Sequence, residues 1–504
     1  MTNDTVASVL AHVAQRRPGA PAIVGPDAST ATHGELDREV RRFVAWLRSH
    51  DVAPADRVAW VVPNGPPAAI AFLGSAAACA SAPLNPAFRE TEFRFCLDDL
   101  RPKVVLLGGD QPGAERAARH LGIPSLELRP RQDGRPGFEL PEDEVPDVVV
   151  PDDIALVLHT SGTTARPKQV LLRQRNLCAS ARNIAATLAL SADDRGLNMM
   201  PLFHIHGLMA GLLAPLSAGG SVVCTPGFDA RRAREWLRRF RPTWYSAVPA
   251  IHMAMRAAFE GGPAPEGGFP FRFVRSSSSA LPVAEMAALE ALFGVPVIEA
   301  YGMTEGAHQI ASNPLPPGRR KPGTVGLAAG PEVSIRDAEG NAVPQGLDGE
   351  ICIRGDSVSP GYHDNRAANE ASFVVGWFRT GDQGHVDADG YVTITGRLKE
   401  FINRGGEKVA PVEVDNVLLE HPAVAQATAC AIPHPTLGEE VGAAVVLHPG
   451  STGVTPRDLL AFAAARLAPY KRPKQILIVG AIPKGATGKA QRIGLWEALH
   501  RLPP

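Results

Sequence analysis

Apolar residues along the chain recur in two alternating rhythms. Leu36, Val40, Phe43, Val44 and Leu47 stand at helical spacing behind Thr32-His33-Gly34-Glu35, where a hydroxyl and a carboxylate three positions apart make a capping box. Short apolar runs interleave with such helices at 58–62, 104–107, 154–158, 221–224 and 295–298, and 174–190 reads as a helix. This alternation predicts layered α/β architecture with largely parallel sheets. From 324 to 395 the rhythm shortens to β-like runs at 333–335, 350–354 and 391–395 between Gly/Asp/Asn turns, which predicts a β-rich subdomain over 324–396. From about Lys399 the alternation starts anew with a strand, a helix at 412–420, two more strands and a helix at 456–467, enough for a compact α+β domain. The expected domains are therefore 1–396 and 397–504, joined at Gly396-Arg397-Leu398-Lys399-Glu400.

A chain of 504 residues exceeds a single core, in keeping with two or more domains. A formal net charge of −1 gives no whole-protein field for nucleic acid or an anionic membrane, so attraction for a charged substrate must be local. The arginines at 231, 232, 234, 238, 239 and 241 read as a solvated helix face. The six cysteines are scattered without a C-x-x-C pair and several sit in apolar surroundings, as expected of thiols packed as small hydrophobes in a reducing cytoplasm. Residues 1–20 lack the apolar core of a secretory signal, and the most apolar window, 68–82, is too short to span a bilayer. A soluble cytoplasmic protein is expected.

Chemistry concentrates first in Leu158-His159-Thr160-Ser161-Gly162-Thr163-Thr164-Ala165-Arg166-Pro167-Lys168. Four hydroxyls, a glycine and two cations after a predicted strand suit a polyphosphate. Backbone N–H groups and hydroxyls would meet phosphate oxygens, with Lys168 as a mobile point charge. The spacing is not that of a Walker loop.

Four further segments join it: Tyr301-Gly302-Met303-Thr304-Glu305, Trp377-Phe378-Arg379-Thr380-Gly381-Asp382, Gly396-Arg397 with Lys399-Glu400, and Pro483-Lys484-Gly485-Ala486-Thr487-Gly488-Lys489. In this order and spacing the chain resembles, over essentially its whole length, the adenylate-forming superfamily of acyl-CoA synthetases, luciferases and adenylation domains. The resemblance implies ATP, Mg²⁺ and coenzyme A, and a mobile C-terminal lid. It implies that Thr160, Ser161, Gly162, Thr163, Thr164 and Lys168 hold phosphates, that Thr304 contacts the AMP phosphate and that Glu305 binds the metal. Tyr301 would stack on adenine, with Glu299, Ala300 and Gly302 around it, and Asp382 and Arg397 would meet the ribose. Lys489 would bridge carboxylate and phosphate during adenylation, the lid would then turn about Lys399, and Gly405-Gly406 would face the pantetheine of CoA. From the residues alone, Gly405-Gly406 is equally a plain turn. Ala165 and Gln169 depart from the glycines common in that phosphate loop, which puts turnover in question if positive φ or close approach is needed there.

The segments expected to line the acyl pocket are polar: His204 and His206, Ser276 to Ser279, and His308. An alkyl tail would gain about 0.8 kcal/mol per buried CH₂ but strand these groups at a cost of roughly 1–3 kcal/mol each, so a short polar acid is expected. The runs around 244–252, 308–316 and 402–408 look like those of oxalate–CoA ligases, a resemblance that implies a distal carboxylate held by Ser278 and His308. His204 or His206 could instead close the pocket or bond the backbone. Malonate or another small acid, and a freestanding carrier protein in place of CoA, remain open alternatives.

Overall fold

The computed structural model describes residues 4–141, 143, 149–160, 167–260, 268–483 and 492–501. They form two compact units, one taking in the chain up to 160, 168–333 and 353–372, the other 334–352 and 373 onward. Compactness thus divides the chain differently from a single cut at 396. The strand Val392–Arg397 runs through that point and pairs with Trp377–Val386, so the β-rich segment groups mainly with the C-terminal residues.

In the first unit a nine-stranded sheet runs in the order Leu327–Ala328, His308–Ser312, Val297–Met303, Phe273–Ser276, Trp244–Ala247, Arg195–Asn198, Ser221–Cys224, Pro21–Val24, Thr30–Thr32. Its six inner strands, from Val297–Met303 to Pro21–Val24, are mutually parallel, and the outer pairings are antiparallel. A six-stranded sheet runs Ser125–Leu128, Val104–Gly108, Arg57–Val61, Ala80–Pro83, Ile154–Thr160, Lys168–Arg173, parallel but for its last pair. Lys168–Arg173, which the hydropathy pattern did not mark, is the antiparallel return of the strand before the phosphate-loop motif. Ser161, Gly162, Thr163, Thr164 and Ala165 lie outside the described residues.

The predicted elements follow their patterns. The capping box closes both ways at the start of helix His33–Ser49, with Glu35 N to Thr32 Oγ1 at 3.2 Å and Thr32 N to Glu35 Oε2 at 2.9 Å. Helix Ala230–Phe240 buries Ala233, Trp236, Leu237 and Phe240 and leaves Arg231, Arg238 and Arg239 exposed, the solvated face expected of the arginine run. Helix Gln174–Thr187 stops three residues short of its expected end, where Ala189 turns to φ 43°. All six cysteines are free and buried, their thiols pushed up to about 12 by burial. No helix among the described residues is long and apolar enough to cross a membrane.

The second unit holds two five-stranded sheets, one built on Trp377–Val386 and one on the long hairpin Val424–His434 with Gly438–Leu447. Helices Pro411–Leu419 and Pro456–Ala464 bury Val414, Leu418, Leu459 and Ala463 with Ile402, Val441 and Val445 of that second sheet.

Candidate active site

Adjacent parallel strands of the nine-stranded sheet end together, and in open α/β sheets ligands bind at such carboxyl ends. Ser246 and Arg275 are register partners there, and one strand further Ser276 pairs with Glu299. Beyond these ends the chain supplies His206 on the short helix Ile205–Leu208, Ser278, and the turn Thr304–Gly306 that leads into the return strand His308–Ser312.

His206, Ser246, Ser278, Arg275 and His308 make one polar cluster, buried except for the half-buried Ser278. His206 meets Ser246 Oγ through Nε2 at 2.6 Å and Ser278 Oγ through Nδ1 at 3.0 Å. Its ring stacks on that of His308, with centroids 4.7 Å apart. Arg275, fully buried, donates from one terminal nitrogen to Ser246 Oγ at 3.0 Å and to His308 Nε2 at 3.1 Å, and from the other to Gln309 Oε1 at 3.2 Å. Burial alone lowers this guanidinium to about 9; no neighbouring carboxylate contributes. Ser276 and Ser277 are buried beside it, and their hydroxyls find no hydrogen-bond partner among the described residues. Three of the four residues expected at the acyl end, His206, Ser278 and His308, are thus brought together. His204 caps the same short helix, with its ring against Phe203.

The nucleotide-directed residues of the first unit come from the neighbouring strand, the turn after it and the last two strands of the six-stranded sheet. Tyr301 is buried in Val297–Met303, and Gly302 stands so close to the return strand that a Cβ would lie 1.6 Å from His308 O. Glu305 is buried, and Tyr362 donates to its Oε1 at 2.8 Å. Lys168 Nζ sits 4.3 Å from the centre of the Tyr362 ring. Thr160 ends its strand opposite Lys168. Gln169 proves structural: its amide nitrogen donates to Asp99 O and Oδ2 at 2.7 and 2.6 Å, and its oxygen accepts from Arg57. Its backbone is not among the positive-φ positions, so its φ does not call for glycine.

In the second unit Asp382 and Arg397 are register partners, joined by Arg397 Nε to Asp382 Oδ1 at 2.9 Å. Thr380 Oγ1 accepts from Asp382 N within the same strand. Gly405 and Gly406, both at positive φ, form the tight end of a hairpin, so the plain-turn geometry is present. Lys399 is exposed just after Arg397. Lys489 lies outside the described residues.

Sequence reasoning did not nominate Arg275, Ser246, Gln309 or Tyr362. The signal for Arg275 was available: a cation inside the apolar run Phe273-Val274-Arg275-Ser276, where a buried charge demands a use or a partner.

A single carboxylate such as Glu305 suits Mg²⁺ that arrives on nucleotide phosphates, which keeps most of its shell as water and phosphate oxygen. Among the described residues no group of three or more metal-ligating side chains offers an all-protein cage.

Residues 10–363 match the AMP-binding enzyme family, and residues 413–489 match the AMP-binding enzyme C-terminal domain. The chain is 41% identical over 514 residues to an oxalate–CoA ligase of Arabidopsis thaliana, covering 98% of each. It is 37% identical over 500 residues to a sulfoacetate–CoA ligase of Cupriavidus necator, covering 98% of this chain and 97% of that one. The solved structure of ATP-bound MatB from Rhodopseudomonas palustris has a TM-score of 0.88 at 28% identity, covering 98% of this chain and 99% of that one. Both halves of the chain therefore belong to one family: the protein is an AMP-binding, adenylate-forming enzyme, an ATP-dependent acid–CoA ligase.

Proposed function

We propose that the acid is oxalate and the product oxalyl-CoA, with AMP and pyrophosphate released. The observation that supports this is the cluster of His206, Ser278 and His308 backed by the buried Arg275, a cation with no carboxylate partner among the described residues. Any polar hydrogen of this cluster turned towards an alkyl tail would go unsatisfied at roughly 1–3 kcal/mol, whereas a second carboxylate gains charge-assisted hydrogen bonds of about 1.5–3 kcal/mol each. The likeness to an oxalate–CoA ligase points the same way.

In the proposed first half-reaction a carboxylate oxygen of the acid attacks the α-phosphorus of ATP and pyrophosphate leaves. Both partners are anions, so the residues' task is to neutralise charge and hold the reactants in line. Thr160, Ser161, Gly162, Thr163, Thr164, Lys168 and Thr304 hold phosphate oxygens, and Lys489 bridges them to the carboxylate. Glu305, oriented by Tyr362, is the residue to hold Mg²⁺, which when bound would neutralise phosphate charge. Glu299, Ala300, Tyr301 and Gly302 flank the adenine, while Asp382 and Arg397 take the ribose. In the second half-reaction residues 397–504 turn about Lys399, the CoA sulfur attacks the acyl carbon past Gly405 and Gly406, and AMP leaves.

A second reading has sulfoacetate as substrate. A distal sulfonate offers the cluster the same acceptors, and a relative carries that activity in its name. The test is AMP release by the purified protein with ATP, CoA and, separately, oxalate, malonate, sulfoacetate, acetate, benzoate and octanoate. Oxalate is expected to have the highest kcat/KM, roughly 100-fold or more above octanoate. A sulfoacetate maximum selects the second reading; an octanoate or benzoate maximum refutes the polar-pocket argument.

A further inference from the structure

We propose that Arg275 is a positioning residue that turns the His206–Ser246–Ser278–His308 cluster into a set of hydrogen-bond donors, and so makes the acyl pocket specific for an acid with a second anionic group. The inference rests on the reading of that cluster as the distal-anion site. It follows from counting hydrogens. Histidine and serine can each donate or accept, so four such groups in contact have no inherent polarity. Arginine can only donate.

Arg275 gives one N–H to His308 Nε2, at 3.1 Å, which can accept only if that nitrogen carries no proton. The neutral ring must then hold its proton on Nδ1. The same guanidinium nitrogen donates to Ser246 Oγ at 3.0 Å. Ser246 is buried, and the only acceptor within reach of its own O–H among its two side-chain contacts is His206 Nε2, at 2.6 Å. His206 therefore accepts at Nε2 and donates from Nδ1 to Ser278 Oγ, at 3.0 Å. Ser278, half-buried and with its oxygen already accepting, has its hydroxyl proton left to give. One chain runs from Arg275 through Ser246 and His206 to Ser278, and the other from Arg275 to His308. Both end on donors, which bind carboxylate or sulfonate and repel nothing anionic.

Arg275 is itself fixed. Its second terminal nitrogen donates to Gln309 Oε1, and Gln309 donates in turn to Thr187 Oγ1 and Ala329 O at 3.1 and 3.0 Å. The nearest acid on the adjoining strand is Glu299, which shares no hydrogen bond with the cluster.

The test has two arms. In ¹⁵N-histidine spectra of the wild-type protein, assigned by loss of signal in His206→Asn and His308→Gln, both rings are expected as the neutral Nδ1–H tautomer. Finding either as the Nε2–H tautomer, or protonated, overturns the proposal without any need for an Arg275 variant to fold. In the second arm Arg275→Gln and Arg275→Lys are assayed for AMP release. The glutamine variant should raise KM for oxalate roughly 100-fold while KM for ATP stays within about threefold. The lysine variant should restore part of the affinity at neutral pH. An unchanged KM for oxalate in Arg275→Gln overturns the role of Arg275 alone. A wild-type enzyme that turns over neither oxalate nor sulfoacetate overturns the function reading, and this proposal falls with it.

Discussion

Glu299 has one carboxyl oxygen taking the Leu281 amide at 3.1 Å, while the other, buried, finds no hydrogen-bond partner among the described residues. Burial therefore raises its pKa to about 7. A raised carboxyl is neutral in the fold, so its stabilising contribution is complete below the ordinary value near 4.5 and is lost as pH rises through 7. Wild type should therefore lose stability relative to Glu299→Gln between pH 4.5 and 7.5, by up to about 1.4 kcal/mol per pH unit. Denaturant unfolding of the pair at pH 5 and pH 7.5 checks this; a constant difference would mean that the carboxyl ionises freely. Strain collects at the same end of the sheet. Ser278 and His308 both hold positive φ, 76° and 93°, where non-glycine residues cost about 1–3 kcal/mol. Such positions survive where surroundings force them, and here the forced side chains are those nominated for the acid.

At the scale of elements, the hairpin from Val297–Met303 to His308–Ser312 carries Tyr301, Glu305 and His308 on one bulged return. It closes only because position 302 lacks a Cβ, which would otherwise meet the His308 carbonyl. Gly302→Ala should cost more than about 3 kcal/mol of unfolding free energy and reduce both nucleotide and acid binding. Stability equal to wild type would show that the return relaxes without penalty. Most elements of this kind were legible because burial imposes its period on the sequence: the 221–224 run is the strand Ser221–Cys224, and the Thr32 capping box opens its helix. Lys168–Arg173 was not, because polar ends on a short strand give no clear alternation and the hydroxyl-rich motif before it read as one loop. The motif residues were legible as chemistry, but their assembly was not. Nothing local in Trp244-Tyr245-Ser246-Ala247 says that its serine meets an arginine from the next strand, since that contact arises only from the parallel register.

At the scale of the whole molecule, contacts group 334–352 and 373–396 with the C-terminal residues, a grouping that a linear reading cannot see. The second unit secures its C-terminal stretch by a buried ion pair of Arg492 with Asp415, assisted by Glu400 at 3.2 Å. Lys489 stands three positions before that anchor. The two-posture reading predicts that Lys489→Ala abolishes acyl-adenylate formation, followed by pyrophosphate release, while thioester formation from preformed adenylate stays within a few-fold of wild type. Equal loss of both steps would contradict it. The claim on which the account turns is that the buried donors read a second anionic group on the acid. The direct measurement is the ratio of kcat/KM for oxalate to that for acetate, in wild type and in Ser278→Ala. The account predicts a wild-type ratio well above one that falls by roughly 30-fold or more in the variant through loss on the oxalate side alone. A ratio near one in wild type, or a variant in which both acids suffer equally, would contradict it.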